Sequence, residues 1–204
     1  MGFNSASVSF TRFKIADPVP ENLWKEIPAR LKQFAFMDID ASPDERAWGW
    51  VNFDDMLDEA WRVSPPEKGH YLAFSLRLDT RRIPPAVLKK HCTLALREEE
   101  EKARQAGQKF ISRARKKEIS EAVKARLLAR ALPIPAEFNV IWNRSSNIIY
   151  FASVQPQMLS IFTELFARTF DLDLEELTPY ILAEHVTSED ISSKLDSIVP
   201  TVFV

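Results

Sequence analysis

Apolar and polar positions alternate from Val8 to Ile15, with Val8 and Phe10 in one phase and, after a break, Phe13 and Ile15. This predicts a strand, ended by Pro18 and Pro20. From Glu21 to Phe34 the period changes. Leu23, Trp24, Ile27, Leu31 and Phe34 recur at helical spacing, and Pro28 inside the run predicts a kink or a late helix start. Ala41 to Arg46 reads as a polar turn, Trp48, Trp50 and Val51 as a short strand, and Phe53 to Glu59 as an acidic loop or helical turn. Lys68 and Gly69 introduce another strand, in which Tyr71, Ala73 and Ser75 alternate against Leu72, Phe74, Leu76 and Leu78. A basic patch, Arg77, Arg81 and Arg82, follows its end. Ile83-Pro84-Pro85 then breaks the backbone, with Pro85 suited to the first turn of a helix.

Ala86 to Leu132 predicts a long helical stretch interrupted at Gly107. Glu98 with Lys102 and Glu100 with Arg104 have the favourable i,i+4 order. In its second half Ile119, Val123 and Leu127 form an apolar line. Arg115, Arg126 and Arg130 lie beside that line, Lys117 and Lys124 on the far side, and Lys116 at an edge. Pro133 and Pro135 stop the helix. Phe138, Val140 and Trp142 alternate as a strand, Asn143 to Asn147 has turn composition, and Ile148 to Val154 returns as the second arm of a hairpin. Pro156 opens an amphipathic helix with Met158, Leu159, Phe162, Leu165 and Phe166 on its buried side, and a short acidic helix is predicted from Leu174 to Glu184.

The order β-α-β-β-α-α-β-β-α implies an α+β fold: two αβ halves with mainly antiparallel sheets, joined by long basic helices. The corresponding divisions are an N-terminal αβ subdomain at 1–84, a basic helical segment at 85–132, a hairpin-helix subdomain at 133–186 and a weakly patterned tail at 187–204.

Charge sharpens this picture. The chain has net charge −2, yet 16 Lys or Arg stand against 7 Asp or Glu between Arg77 and Arg130. Elsewhere 11 basic residues face 22 acidic ones. Such asymmetry points to an anionic partner for the middle of the chain, against the plainer reading of a solvated helix. No apolar run approaches the roughly 18 residues of a membrane span, and Met1 to Ser7 has no secretory pattern. With Cys92 as the single cysteine, a cytoplasmic location is the expectation.

Catalytic chemistry finds little support. His70, His91 and His185 are scattered, and adjacent His91 and Cys92 diverge by about 100° on a helix, so they cannot share a metal. Cys92 reads as a small buried hydrophobe. Asp38 and Asp40, with Asp44 and Glu45 nearby, form one acidic cluster, and Asp54, Asp55, Asp58 and Glu59 form another. Neither accompanies a catalytic motif, so solvated turns are expected, with a metal-dependent nuclease as the minor alternative. No GxSxG, HExxH or GxxxxGK[ST] pattern occurs. Trp24, Trp50 and Trp142 fall in periodic segments and are assigned to the core. No cofactor, catalytic residue or enzymatic activity is expected.

Several segments, in order, resemble the recombination-associated protein RdgC family. They are Ala35-Phe36 after the first helix, Gly49-Trp50-Val51 as a strand, the stretch GHYLAFSLRLDTRRIPPAVLKKH, and VKARLLARAL followed by VIWNRSSNIIYFAS. The resemblance runs from about Val8 to Leu174. It implies a nucleoid-associated, dimeric protein that encloses duplex DNA without reading sequence, restrains the recombinase RecA, and has no established enzymatic mechanism. Family members continue with a substantial C-terminal portion that helps build a ring; this chain resembles a shortened member, for which a homodimer is expected and ring closure is left open. Arg130 and Leu132 match positions near a subunit contact in the family.

The expectation is therefore sequence-nonspecific binding of duplex DNA by phosphate neutralisation. Its candidate residues are Arg104, Lys109, Arg113, Arg115, Lys116, Lys117, Lys124, Arg126 and Arg130, with Arg77, Arg81 and Arg82 as a second lip and Leu132 at a subunit contact. The alternative is a protein-interaction module without DNA binding.

Overall fold

The computed structural model describes residues 2–42, 44–107 and 110–186. In chain order the elements are β1 (Thr11–Ile15), α1 (Leu23–Gln33), β2 (Arg46–Asn52), β3 (Glu67–Lys68), β4 (Tyr71–Arg81), α2 (Pro85–Gln105), α3 (Arg113–Leu128), β5 (Pro133–Asn143), β6 (Ile148–Phe151), α4 (Pro156–Phe170), β7 (Leu174–Glu176) and α5 (Pro179–Val186). The α+β class holds, but the strands form one sheet of order β2-β4-β5-β6-β1-β7, with β3 also on β4. The helix after β1 leaves it without a sequential partner, so β6 and β7, from the other end of the chain, take its two edges. The segment from Leu174, predicted helical, begins as this short edge strand, and α5 starts only at Pro179.

By compactness the chain divides into two units. One comprises Met1–Phe36, Gly49–Arg77 and Glu137–Val204; the other comprises Met37–Trp48 and Leu78–Ala136. The basic helical segment lies within the second, and the divisions at 48, 77 and 136 fall inside strands β2, β4 and β5.

In the first unit the buried face of the sheet meets α1 and α4. Phe13 and Ile15 of β1 alternate inward, as do Ile149 and Phe151 of β6 and Val140 and Trp142 of β5. Helical spacing in α4 directs Met158, Phe162, Leu165, Phe166 and Phe170 onto them. Phe151 and Phe162 stack at 4.2 Å, and Trp142 lies 5.5 Å from both Phe166 and Phe170. Burying an aromatic ring removes a large apolar area from water, so this cluster dominates the unit's stability. Trp50 is fully buried, and its indole N–H donates to Thr169 Oγ1 at 2.8 Å, which satisfies its one polar atom.

The two short motifs at Ala35-Phe36 and Gly49-Trp50-Val51 prove to be one structural feature. Trp50 N donates to Phe34 O and Phe36 N to Trp50 O, each at 3.0 Å, forming an isolated parallel bridge between Ala35 and Trp50. A Cβ on Gly49 would come within 2.5 Å of Phe36 N and 2.7 Å of Ala35 C. Glycine is required there by backbone approach. Helix α1 starts at Leu23, well before Pro28, so the proline does not delay it.

In the second unit α2 and α3 form a helical hairpin. Gly107, at φ 77°, takes the left-handed conformation that ends α2. Ser112 caps α3, its Oγ accepting from Arg115 N at 3.2 Å. Of the apolar line on α3, Val123 is buried while Ile119 and Leu127 are half-buried. Helix α2 buries no residue at all.

Candidate functional site

The exposed cations of α3 are set by helical geometry. At about 100° per residue, Arg113, Lys117 and Lys124 fall within about 40° of one another, roughly 80–120° around the helix from Val123. All three are exposed. Lys117 lies 3.7 Å from Glu121, and Lys124 3.3 Å from Glu45, with more than half of each side chain in solvent. Arg113 makes no ion pair among the described residues, nor do Arg82, Arg104, Lys116, Arg126 and Arg130, all of them exposed.

These cations are not all on one surface. Arg126 lines a groove between α2 and α3 with His91, Glu98, Glu99 and Lys102. Lys116 and Arg104 line a second groove, near the turn of the hairpin, with Glu100 and Phe110. Arg115 is engaged across the hairpin: its Nε donates to Glu99 at 2.8 Å and its Nη1 to Glu118 at 3.2 Å. The hydrogen bond from Arg115, with its charge, holds the Glu99 carboxyl below its ordinary range, and the same bond raises the guanidinium of Arg115. The within-helix pairs Glu98–Lys102 and Glu100–Arg104 do not form among the described residues; Glu99 pairs between helices instead.

Two expected contacts need correction. Strand β4 continues to Arg81, so Arg77 and Arg81 are strand residues, 8% and 6% exposed, and not members of an exposed patch. The Arg77 guanidinium stacks 4.1 Å above the Phe36 ring and donates to Met56 O. Arg81 donates to Ile39 O at 2.7 Å, Asp40 O at 3.1 Å and the α3 C-terminal carbonyl of Leu128 at 3.2 Å. Buried guanidinium groups demand such acceptors; both have them, although Nε of Arg81 is buried without a partner among the described residues. Arg82 is exposed. Lys109 lies outside the described residues. Leu132 is 81% exposed, so it is not a core residue of the chain.

The acidic clusters act locally. Asp38 Oδ1 accepts from Asp40 N at 2.6 Å in an exposed turn. Asp54 is paired with Lys68 at 2.6 Å and accepts from Ser64, and the Lys68 bond chiefly lowers its pKa. Asp58 is buried and organises its loop, accepting from Val63 N, Ala60 N and Asn52 Nδ2. Burial pushes Asp58 up, but these donors together outweigh it and its carboxyl is held low. No three His, Cys, Asp or Glu side chains converge as metal ligands among the described residues. Cys92, expected to be buried, is half-buried with Sγ 3.4 Å from Ser120 Oγ.

Two constellations escape the sequence pattern. Arg144, in the β5–β6 turn, stacks 4.7 Å over the half-buried ring of Trp24. Arg12 and Lys14 project from the sheet face opposite Phe13 and Ile15, where Tyr150 stands opposite Arg12 in the register. Strict alternation along β1 carries the signal for the second; nothing local announces the first.

The sequence matches no family model and no curated protein. No helix among the described residues is long and apolar enough to cross a membrane.

Proposed function

We propose that the protein binds duplex DNA without reading its sequence, through phosphate contacts from the exposed cations of α3. The observation that carries this reading is the row Arg113, Lys117 and Lys124 on one solvent-facing side of a helix. At about 1.5 Å per residue the row extends roughly 16 Å, enough to meet separate phosphates. The pairs Lys117–Glu121 and Lys124–Glu45 are exposed, and exposed pairs contribute only about 0–1 kcal/mol, so phosphates can replace the carboxylates. Arg104, Lys116, Arg126 and Arg130 add positive potential, and Arg82 extends the exposed basic set. The resemblance to the RdgC family supports a role in recombination or replication, with restraint of RecA, as a nucleoid-associated homodimer. No hydrolytic step is part of this reading.

A second reading, a protein-interaction module, is favoured by a different observation. Val87, Leu94, Phe110 and Leu132 are exposed, and α2 has no buried residue. A helix with no buried face draws little stability from its own chain.

A salt titration of duplex binding separates the two. If about six phosphates are neutralised, log K falls against log salt with a slope of roughly −5. Lys117→Glu with Lys124→Glu weakens binding and flattens that slope by about 2, leaving thermal stability nearly unchanged. Binding equal to the parent's removes α3 from the site, and no binding at low salt selects the interaction module. Magnesium-dependent shortening of the DNA, abolished by Asp38→Asn or Asp40→Asn, would replace this reading with a nuclease.

A further inference from the structure

Around Phe10 and Arg12 the first unit carries a partly exposed stretch of sheet face whose chemistry differs from that of α3. Alternation along β1 sends Phe13 and Ile15 into the core and leaves Arg12 exposed and Lys14 half-buried on the opposite side. Across the ladder Arg12 faces Tyr150, which in turn faces Ile141 on β5. Phe10, just before β1, lies 5.8 Å from the Tyr150 ring, and Phe3 lies 5.9 Å from Phe10. Three rings thus stand in sequence beside two cations on one face of an antiparallel sheet.

The rings are held in place. Phe3 N donates to Asn139 Oδ1 at 3.0 Å, and Asn139, itself buried, donates to Ser75 Oγ at 2.8 Å and to Glu137. This anchors the N-terminal turn against the sheet. Phe10 remains 43% exposed after that packing, and Tyr150 is half-buried. Glu175 stands opposite Lys14 in the ladder, whereas Arg12 stands opposite Tyr150, which carries no charge to offset it.

We infer that this face is a binding platform for single-stranded nucleic acid, with bases stacking on Phe10 and Tyr150 and a backbone phosphate at Arg12. An exposed antiparallel sheet bearing aromatic rings and flanking cations suits unpaired bases, because every base offers a π-face and the cation meets the phosphate between them. Paired bases in a duplex do not present those faces. The platform is independent of duplex binding by α3 and involves other residues.

The test compares a labelled oligothymidine strand of about 20 nucleotides with an abasic strand of equal length, bound by the full chain and followed by fluorescence anisotropy at several salt concentrations. The platform requires the oligothymidine to bind at least about tenfold tighter than the abasic strand. Phe10→Leu keeps an apolar side chain in the cluster but removes the ring. It and Tyr150→Ala each lower oligothymidine affinity about tenfold, with abasic binding and the salt slope unchanged. Arg12→Ala instead flattens the slope for both strands by about 0.7. The double variant Lys117→Glu with Lys124→Glu keeps the preference for bases over abasic backbone even if duplex binding is lost. Equal binding of the two strands, no binding, or full oligothymidine affinity in a folded Phe10→Leu, Tyr150→Ala variant overturns the platform. Self-association that disappears in that variant, without strand binding, assigns the face to a protein partner.

Discussion

Helices α4 and α2 have opposite relations to the core. The 15 residues of α4 bury six side chains, five of them apolar rings or long aliphatics, while the 21 residues of α2 bury none. Each opens with a proline at its first turn, so initiation does not separate them. What separates them is the width and content of the apolar stripe. Phe162, Phe166 and Phe170 repeat every four residues and reach a common set of aromatic partners. On α2 the apolar positions are small or dispersed among Lys, Arg and Glu, and the helix rests on intrinsic propensity and on cross-hairpin links such as Arg115–Glu99. A region held by burial is costly to alter; one held by propensity and exposed charge can change its surface at little cost to folding.

The largest expected effect lies in the aromatic core. Phe162 is fully buried and stacked on Phe151, so Phe162→Ala should destabilise the protein by about 3–5 kcal/mol in chemical denaturation. A loss under about 1 kcal/mol would show that the cluster is not what holds this unit. Next is the close approach at Gly49. Gly49→Ala drives a methyl into the Phe36 backbone and should cost about 3 kcal/mol, the upper part of the overpacking range; a neutral result would mean that the parallel bridge at Trp50 can move apart.

Asp58 gives a smaller effect with a distinct pH signature. Asp58→Ala strips acceptors from the Val63 and Ala60 amides and should cost about 2 kcal/mol near neutral pH. Because the folded carboxyl titrates below the unfolded one, its contribution is present above the ordinary aspartate pKa of about 4 and disappears as pH falls through the lowered value. Stability curves of parent and Asp58→Ala should therefore converge in acid. Curves that stay parallel down to about pH 2 would assign the effect to packing alone. The smallest effect belongs to α2: Leu94→Gln should shift stability by no more than about 0.5 kcal/mol, since Leu94 is 45% exposed. A loss several times larger, dependent on protein concentration, would show that another subunit covers this helix and would erase the contrast with α4.

How far the sequence reaches is visible residue by residue. Period, with turn composition and a single glycine, identified the β5–β6 hairpin, the buried side of α4, the break at Gly107 and the exposure of Lys117 and Lys124, because each depends on contacts within a few residues or on one face of one element. The short Ala35-Phe36 and Gly49-Trp50 motifs were legible as marks, but their joint meaning, a backbone contact that admits no Cβ, required the two segments to be brought together. The pairing of β1 with β6 and β7 was not legible, since hydrogen bonds between distant strands leave no local pattern. Arg77 and Arg81 were misplaced for a related reason: a charged residue at a strand end reads as exposed until distant acceptors, such as Leu128 O for Arg81, are found for it. The sequence by itself determined most element types, the edge strand at Leu174 excepted, together with the uneven charge and the absence of familiar catalytic motifs, because these are properties of composition and short range. Only the tertiary structure decided that Arg77 and Arg81 are buried and which aromatic rings remain open beside Arg12, because burial there is decided by partners far along the chain.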